Sequence, residues 1–109
     1  MVVWWGALVE CHSALARQLR DESLDEAGYQ AASLRLRRLC EAWIEVPPVD
    51  EVRSRATRVL RLHPLRAADA LHLAAALVAA GSAPDEFEFV TFDDRQGRAA
   101  ALEGFRVVS

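Results

Sequence analysis

Lysine is absent from this chain of 109 residues: all 13 basic side chains are arginine. Arginine alone suits bidentate phosphate contacts, although biased codon usage accounts for it equally well. Only two cysteines are present, Cys11 and Cys40. They are far apart and form no C-x-x-C pair, which excludes a disulfide framework or a zinc site by spacing and makes a reducing cytoplasm the expected compartment. Long apolar runs are missing too. Met1 to Val9 is apolar, but no basic residue precedes it and Glu10 ends it, so neither a signal peptide nor a membrane span is expected. Glycine and proline are sparse, at 5 and 4 residues, which excludes a low-complexity or linker-like chain. The net charge of -3 and pI near 5.6 give no general attraction to nucleic acid or to an anionic membrane. No phosphate-cradling glycine loop, dinucleotide fingerprint or nucleophile elbow occurs.

What remains is a chain that is 52% hydrophobic and 27% charged, as expected of one globular domain spanning residues 1–109. Short apolar stretches alternate with helical ones. Val2 to Trp4 reads as a strand, followed by helical spacing through Leu8, Leu15 and Leu19. Ser23 and Glu26 form an S-x-x-E capping box that predicts a second helix, running to about Ala42. Trp43 to Val46 reads as a strand stopped by Pro47-Pro48, and Asp50 is expected to cap the next helix. Arg66 to Ala80 is the strongest helical stretch, closed by Gly81. A strand over Phe87–Phe92, a short helix over Asp93–Leu102 and a strand over Phe105–Val108 complete the chain. This alternation predicts an α/β domain with a mainly parallel sheet.

Three carboxylates stand out. Asp69 lies in a helix that is apolar nearly all round: Leu65, Leu73 and Leu77 share its half, while Leu71 and Val78 cover the other. A carboxylate there needs compensation from the helix N-terminus, Arg66, His72 or a bound cation. Asp93 directly follows an apolar strand, at the carboxyl end where open α/β sheets gather ligands; it serves equally as an ordinary helix N-cap. Thr91 and Asp94 beside it can share either role. Glu10 faces away from Leu8, Leu15 and Leu19, as a solvated glutamate does, although Gly6, Ala7, Ser13 and Ala14 leave room for something to approach it. His12, His63 and His72 lack a spacing that fits a shared metal, and no histidine pairs with a cysteine for nucleophilic work. Trp4-Trp5 reads as core or interface. Separated carboxylates suit Mg²⁺ or Mn²⁺, which take carboxylate oxygens and water and support phosphoryl displacement.

The string His63-Pro64-Leu65-Arg66-Ala67-Ala68-Asp69-Ala70-Leu71-His72-Leu73-Ala74-Ala75-Ala76 resembles the motif around the third acidic residue of PIN-domain proteins of the VapC toxin kind. Val90-Thr91-Phe92-Asp93-Asp94-Arg95 is similar to the segment carrying their last acidic residue. Val9-Glu10-Cys11-His12-Ser13-Ala14-Leu15-Ala16-Arg17 is similar to the segment with the helix glutamate. The resemblance covers essentially the whole chain. It implies a three-layer α/β/α sandwich around a mainly parallel sheet. It also implies Glu10, Asp69 and Asp93 as catalytic ligands of Mg²⁺ or Mn²⁺, with Thr91, Asp94 and Arg66 in support, and RNA hydrolysis as the activity. The partners implied are a small antitoxin protein and a second copy in a homodimer. Family members begin with an apolar strand that ends in a catalytic aspartate, and a helix follows it. This chain is expected to lack that strand and helix, through a misplaced start, degeneration, or supply of the strand by another chain. Two functions therefore stand side by side, a metal-dependent endoribonuclease and an inactive PIN-like module that keeps its dimer or antitoxin contacts. A receiver-like acidic pocket would need a lysine, which the chain does not have.

Overall fold

The computed structural model describes residues 1–109. Five helices and one 3-10 turn carry 64% of the chain. In order they are β1 (Val2–Trp4), α1 (Ala7–Arg20), α2 (Glu26–Ala42), β2 (Ile44–Val46), α3 (Asp50–Leu62), α4 (Ala67–Ala80), the turn Pro84–Glu86, β3 (Glu88–Val90), α5 (Asp94–Leu102) and β4 (Arg106–Val108).

The expected sandwich around a mainly parallel sheet is not what forms. The strands pair in parallel, but only as two separate two-stranded ribbons: β1 with β2, in register Val3 opposite Glu45, and β3 with β4, in register Phe89 opposite Val107. The reason lies in strand length. Each strand is three residues long. Gly6 starts α1 directly after β1, and Pro47-Pro48, which has no N–H to extend a ladder, ends β2. The six-residue strand expected over Phe87–Phe92 is halved. Phe87 is drawn back to the 3-10 turn, its N–H donating to Pro84 O at 3.0 Å, and Thr91 already belongs to the turn before α5. Ribbons this short cannot build a layer, so helix packing dominates.

That packing is centred on α4. Val52, Ala56 and Val59 recur along one face of α3 and are buried, and they belong to one core with Ala70, Leu73, Ala74, Leu77 and Ala80 of α4. The alanines let the two helices approach closely. The apolar helix α4 is buried at Ala70, Leu73, Ala74, Ala75, Leu77 and Ala80 and partly covered at Leu71, Ala76 and Val78, while Ala67, Ala68 and Ala79 are exposed. Phe89 and Phe105 extend this core beside the second ribbon, their ring centroids 5.6 Å apart. Gly81, at φ +62°, adopts the left-handed backbone that ends α4.

Two caps differ from expectation. Asp25, not Ser23, caps α2, accepting from Gly28 N–H at 2.7 Å, while the Ser23 hydroxyl donates to Asp21 Oδ1 at 2.6 Å. Asp21 turns the chain back on itself two residues earlier and so removes Ser23 from the helix start. Asp50 lies inside the first turn of α3 rather than at its cap, and pairs with Arg53 at 2.9 Å. No helix is long and apolar enough to cross a membrane.

Candidate functional site

The starts of α4 and α5 face one open cleft of about 480 Å³, lined by Pro64, Arg66, Asp69, Asp93, Asp94 and Arg95. Apart from Pro64, every lining residue is charged. Two of the three expected carboxylates, Asp69 and Asp93, thus meet in one place, together with the expected supporting residues Asp94 and Arg66.

Asp69 sits in the first turn of α4, where the exposed N–H groups of a helix start favour negative charge. Its side chain is half-buried and makes no hydrogen bond or ion pair within the chain. The compensation expected from Arg66 or His72 is therefore not used. Arg66 is the N-cap residue of α4 with an extended backbone, and its side chain takes no part in capping. His72 turns to another partner.

Asp93 caps α5, with Oδ1 accepting from Gln96 N–H at 2.9 Å, and it also lines the cleft. Thr91 lies beneath it, buried. Its Oγ1 accepts from Asp93 N–H at 3.1 Å and its hydroxyl donates to Gln96 Oε1 at 2.7 Å.

Glu10 does not line the cleft. It is exposed on α1 and shares a 3.0 Å hydrogen bond with His72 Nε2. His72 follows Asp69 by one turn on α4, so Glu10 is joined to the helix that carries Asp69 without reaching the cleft itself. Next to it, burial and then the Glu10 carboxylate push the Cys11 thiol above its ordinary pKa, which keeps it protonated and unsuited to nucleophilic attack.

No three His, Cys, Asp or Glu side chains converge closely enough to surround a metal ion. The carboxylates that could hold a cation at the cleft are Asp69, Asp93 and Asp94; hard cations are commonly bound through one or two carboxylates, with waters and phosphates completing the shell. Arg66 and Arg95 form no ion pair in the molecule, so both guanidinium groups are free to meet an anion bidentately.

Two features were not anticipated from the sequence. Gln96 is buried behind the cleft. Its position three residues after the capping Asp93 is the signal that could have singled it out, since Gln at that place commonly reaches back to the helix start. The second feature is a part-buried clasp. His63 Nε2 lies 2.8 Å from Glu103 Oε2, and Arg58 donates to Glu103 Oε1 at 3.0 Å. Burial pushes the Glu103 carboxyl up, but the hydrogen bonds from His63 and Arg58 outweigh it and hold the group below its ordinary value. The clasp joins the C-terminal ends of α3 and α5, immediately behind Pro64. These residues are 40 and 45 positions apart, and no local spacing marks them.

No protein-family model, no curated protein and no solved structure matches this chain.

Proposed function

We propose that the cleft between the starts of α4 and α5 is the site of a metal-dependent endoribonuclease, with Asp69 and Asp93 holding Mg²⁺ or Mn²⁺ and Arg66 and Arg95 meeting the phosphodiester. The observation that carries this reading is the charge arrangement: three carboxylates and two arginines line one open cleft, and neither arginine is paired to a carboxylate. A site for a metal-bound phosphate needs both signs of charge and needs them apart. RNA as the substrate rests on the resemblance of the segments around Asp69 and Asp93 to those of PIN-type toxins, and a small antitoxin and a second copy of the chain follow from it as partners.

The residues divide the work by position. Asp69 presents a carboxylate that has no other partner in the chain. Asp93 commits one oxygen to the α5 cap and keeps the second for the cleft. Asp94, the first residue of α5, adds negative charge at the rim. Arg66 and Arg95 orient the substrate phosphates and offset their charge. A bound divalent cation supplies Lewis acidity at a phosphoryl oxygen and lowers the pKa of its water. Glu10, held by His72, stands outside this set.

A second reading, a binding module without catalysis, is favoured by one observation: Glu10, the third expected ligand, bonds to His72 and does not line the cleft with Asp69 and Asp93. Calorimetric titration with Mn²⁺, beside a cleavage assay on single-stranded RNA with and without chelator, separates the two. The wild type is expected to bind Mn²⁺ and cut RNA. Asp69→Asn is expected to lose both while keeping its circular dichroism spectrum. Absence of Mn²⁺ binding by the folded wild type ends the enzyme reading in favour of the module.

A further inference from the structure

Buried polar side chains with every partner satisfied are costly to build and usually serve to fix a geometry. Gln96 is buried, and so is its partner Thr91. The Gln96 side chain makes two hydrogen bonds and its backbone N–H a third. The backbone N–H donates to Asp93 Oδ1 at 2.9 Å, Oε1 accepts the Thr91 hydroxyl at 2.7 Å, and Nε2 reaches the backbone carbonyl of Asp69 at 3.4 Å. The last is long, but it crosses from α5 to α4 and is the one hydrogen bond given by either cleft helix to the other at this point. The Thr91 Oγ1 in turn holds Asp93 N–H.

We infer that Gln96 is a positioning residue whose side chain sets the separation and orientation of Asp69 and Asp93, acting through the Asp69 carbonyl and through Thr91, which in turn accepts from Asp93 N–H. This rests on the proposed reading of the cleft as a cation site, and deepens it by saying what holds the two carboxylates in register. The side chain amide is suited to the task because it donates in one direction and accepts in the other. A glutamate there would present an acceptor to the Asp69 carbonyl, and a methionine would leave both partners unmet. Ligand-orienting partners of this type typically change metal affinity by about ten- to hundred-fold when removed.

The test uses the full chain as wild type, Gln96→Met, Gln96→Glu and Thr91→Val, with two readouts. One is Mn²⁺ affinity by calorimetry. The other is the set of nuclear Overhauser contacts between residues 66–70 and residues 93–96, which reports the separation of the two walls without any metal. Expected are a loss of about ten-fold or more in Mn²⁺ affinity for Gln96→Met and Gln96→Glu, altered contacts between the walls, and a smaller loss for Thr91→Val. Thermal unfolding of each variant identifies any that fails to fold, and the conservative Gln96→Glu keeps the comparison available if Gln96→Met does not. Unchanged wall contacts in the folded variants overturn the inference whatever the metal does. A wild type that binds no Mn²⁺ removes the cation reading instead, and the wall contacts still decide the role of Gln96.

Discussion

Asp93 carries two duties that substitution can separate. Asparagine caps a helix about as well as aspartate, whereas alanine does not, at a typical cost of about 1 kcal/mol. Asp93→Asn is therefore expected to keep the stability of the wild type and lose Mn²⁺ affinity. Asp93→Ala should lose affinity and also about 1 kcal/mol in urea unfolding. Equal stability of the two variants would show that the Asp93 to Gln96 N–H bond contributes nothing. The Glu103 clasp makes a claim about pH. Because the folded state holds this carboxyl below its ordinary value, its contribution is present above the unfolded-state pKa and is lost as the pH falls through the folded one. Stability measured by urea between about pH 5 and pH 3 should fall less steeply for Glu103→Gln than for the wild type. Parallel slopes would remove Glu103 as a source of the pH dependence.

At the scale of elements, the pairing of α3 with α4 holds the core. Leu73 and Val59 are fully buried, and the small residues Ala56, Ala70 and Ala74 beside them leave no slack to refill a void. Leu73→Ala is expected to cost about 2–5 kcal/mol, since the cavity adds to the lost burial. Chemical denaturation measures it directly, and a loss below about 1 kcal/mol would mean that the helices collapse onto the space. The extents of α4 and α5 and the end of α2 near Ala42 were legible from apolar spacing and closing residues such as Gly81, and α1 was legible as helical spacing without its ends. The capping residue of α2 was not, because Asp21, Ser23 and Asp25 are all competent caps by type, and the choice among them depends on the turn between the helices. Strand lengths were not legible either: Phe87 has the apolar character of a strand residue, yet a 3-10 turn claims its N–H.

At the scale of the molecule, the shape is elongated, 44 × 27 × 26 Å with a radius of gyration of 15.0 Å, where about 13 Å is usual for a domain of about 100 residues. The hairpin of α1 and α2 contributes no residue to the core. Its helices pack chiefly on each other, and of their residues only Ala7 and Leu36 are buried. Few buried contacts mean a low local opening energy. Native-state hydrogen exchange is expected to show the amides of α1 and α2 exchanging well before those of α4. Uniform protection across the three helices would refute this division.

Composition and periodicity by themselves determined the helices, the buried character of α4 and the candidacy of Asp69 and Asp93, because each depends on neighbours within a few residues along the chain. The mainly parallel sheet read from the same alternation of elements did not form, nor did the sandwich that the resemblance implied. Alternation says which segments are extended, while a sheet layer requires strands long enough to pair on both sides, and here pairing stops at two strands of three residues each. Only the tertiary structure decided that Asp69 and Asp93 share a cleft and Glu10 does not line it, and that Gln96 lies behind the cleft. The approach of α4 to α5, with Asp69 and Gln96 27 positions apart, is set by core packing and by a hydrogen bond whose partners no local pattern relates.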